Sequence, residues 1–145
     1  MNVNNPELLD KAEMIISSLK EEQSDGMPLL IVLGGDDDGK AYIPKTETSS
    51  IGRRETSSPD SNVHADRIEL NENFLAVTRI SKPHAELLRE DERWFIRDCK
   101  STGGTFLNDR ELTSGIKYEL HNGDLIDLGR GEGNVTLLFH NTTGS

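Results

Sequence analysis

A single cysteine, Cys99, stands among 145 residues, so the chain cannot close an internal disulfide or build a cysteine-based zinc site. Long apolar runs are missing as well. The longest, Leu29 to Leu33, has five residues against the roughly 20 that a membrane helix needs, which argues against a membrane partner. The opening Met1-Asn2-Val3-Asn4-Asn5 lacks the basic and apolar blocks of a signal peptide. Together these absences predict an intracellular protein; a nuclear location is expected over a cytoplasmic one. The glycosylation-type triplets Asn134-Val135-Thr136 and Asn141-Thr142-Thr143 are then coincidences of composition. Basic blocks are absent too. The net charge is −10, with four basic and ten acidic side chains in residues 1–48 and twelve and sixteen in the remainder. A nucleic-acid backbone needs clustered Lys and Arg, so direct nucleic-acid binding is excluded, whereas a few local arginines can still hold a small anion.

What is present divides the chain in two. Residues 5–23 carry the signals of one amphipathic α-helix: Asn5 as N-cap, Pro6 at the first helical position and Glu7 at the positive end of the dipole. Leu8, Ala12, Ile15 and Leu19 form an apolar stripe that Leu9 and Ile16 widen. Such a stripe either packs on the adjoining domain or meets a partner or a second copy, and it is too short for a coiled coil. Residues 1–26 are accordingly a helix and linker, 27–141 a domain and 142–145 a tail. From residue 28 the pattern turns to short strands separated by Gly, Asn, Asp or Ser. They are expected at Leu29–Leu33, Ala41–Pro44, Ser50–Arg53, Arg67–Leu70, Ala85–Arg89, Trp94–Asp98, Thr105–Asn108, Lys117–Leu120, Leu125–Leu128 and Val135–His140. Many short strands at this spacing predict an all-β sandwich or barrel, with Trp94, Phe95, Ile96, Phe106, Leu125 and Leu128 as core.

Two motifs invite chemistry and fail. Gly34-x4-Gly39-Lys40 has the glycine and lysine spacing of a phosphate-binding loop, but Ala41 replaces the metal-binding hydroxyl and Asp36, Asp37 and Asp38 would repel phosphates. No helix follows to point its N-terminus at the anion, so a solvated hairpin turn is expected. The aspartates also lack the spacing of a calcium loop. His64, His84, His121 and His140 show no helical metal spacing, and no Ser or Cys occupies a nucleophile turn. Neither catalysis, nor a metal, nor a cofactor is predicted.

Four blocks carry more information. They are Gly52-Arg53, Ser81-Lys82-Pro83-His84-Ala85, the run from Asp98 to Asn108, and Asn122 to Gly129. In this order and spacing they resemble the forkhead-associated (FHA) domain family across about residues 27–141. The resemblance implies a β-sandwich of about eleven strands whose apical loops bind phosphothreonine in a partner protein, without catalysis. It places Arg53, Ser81 and Thr102 around the phosphate. The chemistry agrees: Arg53 offers a planar fork that stays charged, Ser81 and Thr102 hydroxyl donors, and Lys82 a second positive charge. Gly52 is expected to let the chain turn sharply into the Arg53 loop. His84 is implied as a brace for the loop, and Gly104, Thr105 and Asn108 as residues that shape the site. Arg79 matches a position that in some members reads an acidic residue three places after the phosphothreonine. The departure is Gly103, where the family usually carries an Asn that anchors the peptide backbone. Restoring that Asn is expected to tighten binding by about 1 kcal/mol if the loop accepts a Cβ. The alternative is an interaction domain with weakened or lost phosphate binding that uses its sheet face or its N-terminal helix.

Overall fold

A computed structural model describes residues 28–35, 37–44, 46–54, 67–71, 73–80 and 82–141. The helix expected over residues 5–23 and the linker after it lie outside the described residues, as do Ser81 and the segment 55–66.

Eleven strands follow one another: Pro28–Leu33 (β1), Ala41–Tyr42 (β2), Thr48–Arg53 (β3), Arg67–Leu70 (β4), Ala85–Glu90 (β5), Arg93–Asp98 (β6), Thr105–Leu107 (β7), Arg110–Glu111 (β8), Lys117–Leu120 (β9), Leu125–Leu128 (β10) and Val135–Asn141 (β11). No helix occurs among the described residues. Ten of these strands sit where alternation and turn chemistry place them. β8 is the addition: it has only two exposed residues, folded back by Asn108 and Asp109, both with positive φ (49° and 74°).

The strands form two sheets, β2-β1-β11-β10-β7-β8 and β4-β3-β5-β6-β9. Their pairing is antiparallel except for β3 with β4, which run parallel with Gly52 opposite Glu69 and Arg53 opposite Leu70. The core between the sheets is built from alternate positions: Leu30 and Val32 of β1, Ile51 of β3, Leu87 of β5, Trp94 and Ile96 of β6, Ile126 and Leu128 of β10, and Leu137 and Phe139 of β11. Three expected core residues point elsewhere, among them Phe106, which alternates away from Leu107 and carries the Arg130 guanidinium 4.1 Å from its ring centroid. Phe95 alternates away from Trp94 and Ile96, is half-buried, and carries the Lys117 ammonium 5.4 Å from its ring centroid. Leu125 joins Leu29, Ile31, Leu33 and Leu138 in a second cluster on the outer face of the six-stranded sheet.

The glycine-rich segment after β1 is the expected hairpin turn. Its donors are spent internally: Gly34 N–H reaches Asp38 Oδ1 (2.7 Å), Gly39 N–H the Val32 carbonyl (2.9 Å) and Lys40 N–H the Asp37 carbonyl (2.9 Å). Asp37 departs from the solvated reading. It is 2% exposed, accepts the Asn71 N–H (2.8 Å) and pairs with Lys40 (3.2 Å).

Candidate functional site

The site begins where β3 ends. Arg53 is a half-buried strand terminus rather than a residue on an exposed loop, and it forms an isolated parallel bridge with Arg79. Its N–H donates to the Thr78 carbonyl (2.7 Å), and its carbonyl accepts from Ile80 N–H (2.9 Å). The guanidinium donates through Nε to the Val77 carbonyl (3.0 Å), and its Nη groups meet no acceptor among the described residues. This stitching explains Gly52 differently from a sharp turn. A Cβ there would lie 2.8 Å from Ile80 Cα and 3.0 Å from its nitrogen, so the glycine lets segment 78–80 lie flat against β3. Ile80 is buried, and Arg79 stands exposed beside it, as the alternation predicts.

A second loop faces this segment. Asp98, at the end of β6, is buried and organises it. Its carboxylate accepts from Ser101 N–H (3.2 Å), the Ser101 hydroxyl and the Thr105 hydroxyl (2.6 Å). Burial would raise its pKa, but these bonds, with Ser114 nearby, outweigh burial and hold the carboxyl below its usual range. Ser101 Oγ in turn accepts Gly104 N–H (2.9 Å), which closes the loop. Within it Lys100 adopts φ 58°, unusual for a lysine, and Ser114 Oγ accepts its N–H (2.7 Å). Neither Asp98 nor Lys100 was singled out from sequence. The signal for Asp98 was there, in acceptor and hydroxyl spaced as Asp98, Ser101 and Thr105.

His84 ties the two loops together. It is fully buried; Thr78 N–H donates to Nδ1 (3.1 Å), which leaves the proton on Nε2 for the Gly104 carbonyl (2.7 Å). It is a brace, as expected. Burial lowers its pKa below 6.5, opposed by the Gly104 bond and by Asp98. Burial lowers that of His140 also. A depressed folded-state pKa means stability that is complete above about pH 6.5 and lost as pH falls through the folded values. Denaturant unfolding from about pH 8 to 5 should therefore give a flat upper limb and a decline below about 6.5. A midpoint that does not change over this range would contradict a neutral, buried His84.

Between the loops lies a groove of about 750 Å³, lined by Thr78, Arg79, Lys82, Pro83, Cys99, Lys100 and Thr102. It thus unites three expected residues, Arg79, Lys82 and Thr102, all exposed, with Lys100 as a further cation. Among the described residues no carboxylate pairs with Arg53, Arg79, Lys82 or Lys100, whereas Arg67, Arg93, Arg97, Lys117 and Arg130 all have acidic partners. Cys99 is no nucleophile, since burial pushes its thiol up to about 11.

Two expected contributors take other roles. Gly103 does not line the groove. A Cβ on it would lie 2.9 Å from the Ala76 carbonyl oxygen and 3.1 Å from Gly129 Cα, so the loop does not accept the Asn side chain without a shift. Asn108 sits at the far end of β7, where its amide donates to Asp124 Oδ1 (3.0 Å) and accepts Leu125 N–H (2.9 Å). It fastens the β7–β8 turn to β10 and is not among the residues that line the groove.

Comparison with known proteins agrees with this geometry. The FHA domain family model matches residues 49–129. The oxoglutarate dehydrogenase inhibitor of Corynebacterium jeikeium is 30% identical over 106 residues, which are 73% of this chain and 62% of that protein. The chain thus spans less than two thirds of that relative, and the bacterial source of the relative gives the expected nuclear location no support. Among solved structures, an FHA domain of Arabidopsis thaliana superposes with a TM-score of 0.62 at 22% identity, covering 83% of this chain and 90% of the other. The N-terminal FHA domain of Saccharomyces cerevisiae Rad53p, solved with a phosphothreonine peptide, gives 0.58 at 16% identity over 79% and 93%. With a matched family model over more than half its length and eleven strands in two sheets, the chain belongs to the FHA domain family, a family of binding modules.

Proposed function

We propose that the groove between segments 78–83 and 99–102 binds a phosphothreonine-containing segment of a partner protein. The observation that carries this reading is the gathering of Arg79, Lys82 and Lys100 on the groove wall, with Arg53 bridged to Arg79 through the backbone, all unpaired with carboxylates among the described residues of a protein whose net charge is −10. Cations left without carboxylates in an acidic protein supply what a phosphate dianion needs: charge, together with the Thr102 hydroxyl as an oriented donor. Ser81, adjoining Lys82, adds a second hydroxyl on this reading. The Rad53p domain solved with its phosphothreonine peptide supports the assignment by fold.

Matched phosphothreonine, phosphoserine and unphosphorylated peptides test it by titration. Binding should require the phosphate, and threonine should be preferred because one more buried methyl contributes about 0.8 kcal/mol, roughly fourfold in affinity. Equal affinity for the two phosphopeptides would indicate simple anion attraction. Arg79, exposed on the groove wall, should favour Asp or Glu three residues after the phosphothreonine by about 0.5–1 kcal/mol, an advantage that fades with added salt. In an oriented peptide library Arg79→Ala should lose that enrichment and keep the phosphate requirement. Enrichment that survives the substitution would make Arg79 an ordinary surface residue.

A further inference from the structure

β1 is buried at all six positions. Alternation assigns Leu30 and Val32 to the core between the sheets, so Leu29, Ile31 and Leu33 must face the other way. Register extends this outward face. Ile31 stands opposite Leu138 of β11, which stands opposite Leu125 of β10. Leu29 and Ile31 are 0% exposed, and Leu125 and Leu138 only 5% and 7%. Neighbours within a sheet shield a side chain laterally and leave its top open to water. The described residues packed against the cluster, Ala41 and Ile43, are themselves half-buried and belong to the β2 edge of the same sheet. Complete burial therefore requires a cover from elsewhere. The face also has polar ends, with His140 opposite Leu29 and the Thr136 hydroxyl bonded to Asp127 beyond Leu33.

We propose that residues 8–19 of this same chain are that cover, lying as an amphipathic helix across the outer face of the six-stranded sheet. Their stripe of Leu8, Leu9, Ala12, Ile15, Ile16 and Leu19 supplies a complementary apolar surface. Twelve helical residues extend about 18 Å, close to the roughly 20 Å of a six-residue strand such as β1. The connection is covalent and short: residues 20–27 run directly into Pro28, the first residue of β1, and eight residues span up to about 26 Å. That suffices for the chain to reverse onto the strand it leads into. The stripe is thereby used within the molecule, and neither a partner protein nor a second copy needs to occupy it.

Methyl NOE spectroscopy on the full chain tests the placement. Ile15 and Ile16 should show NOEs to Ile31 and Leu138, and in a mixture of differently labelled chains these should remain within one label. NOEs that cross labels would seat a second copy on the face and overturn the proposal, as would their absence. Ile15→Asp in the full chain should raise the unfolding equilibrium constant roughly tenfold or more and increase binding of a hydrophobic dye. Phosphopeptide affinity at the groove, which shares no residue with this cluster, should not change. An unaltered unfolding midpoint in Ile15→Asp would also overturn the proposal.

Discussion

Arg53→Ala is expected to abolish phosphopeptide binding while the two sheets stay folded. The side chain reaches no apolar cluster; its one described bond is from Nε to the Val77 carbonyl, so truncation costs stability on the order of 1 kcal/mol. Binding suffers more, because each charge-assisted bond from the free Nη edge to a phosphate oxygen contributes roughly 1.5–3 kcal/mol. A fall of at least about tenfold follows from one such bond, and about a hundredfold or more from two. Arg53→Lys should fall between, since it keeps the charge and loses the planar fork. Calorimetric titration beside a thermal melt decides the matter. Unchanged affinity in a normally melting Arg53→Ala protein would remove this residue from the phosphate site.

Gly103→Asn should weaken the protein and fail to tighten binding, the reverse of what the family resemblance alone suggests. The new Cβ would press on the Ala76 carbonyl oxygen and on Gly129 Cα, both backbone atoms that cannot rotate aside. Ala76 is held in place by its N–H bond to the Gly133 carbonyl (3.0 Å), and a Cβ on Gly129 would meet the Ala76 Cβ at 2.6 Å. The tip of segment 74–77 is thus seated among glycines, and one added side chain should cost about 1–3 kcal/mol in overpacking. Urea unfolding and a peptide titration on one preparation give both quantities. Tighter binding at undiminished stability would mean that the loop yields and that backbone anchoring can be restored.

These two positions mark where sequence stops being sufficient. Strand order and the identity of Arg53, Arg79, Lys82 and Thr102 could be read because alternation, turn residues and block spacing are local properties of the chain. What approaches a glycine is not local. The turn expected at Gly52 gives way to a close backbone neighbour, Ile80, and Gly103 is packed against another, Ala76; both neighbours come from a different part of the chain. Alternation read from the sequence makes Phe95 and Leu125 core, yet the observed strand parity and a second apolar cluster place them on other faces. β8 escaped notice because two exposed residues bear no hydrophobic pattern, although Asn108-Asp109 ahead of it carried the turn signal. Asp98 is the instructive omission, since an acid followed by hydroxyls at three and seven residues is visible in the sequence as a loop organiser.

The pairing of β1 with β11 has a consequence for synthesis. Pro28 stands opposite Asn141 and Leu33 opposite Thr136, so the most apolar run of the chain finds its longer ladder partner only after more than a hundred further residues. As the chain emerges from a ribosome, β2 can pair with Leu30 and Ile31 at once, but the other edge of Leu29 to Leu33 must wait until nearly the whole domain has been made. Long-range antiparallel closure of this kind slows folding and leaves a sticky strand open in the interval. A charge placed at Ile31 would therefore relieve that exposure during translation and damage the finished sheet, which makes this five-residue run the point at which soluble yield and native stability pull in opposite directions.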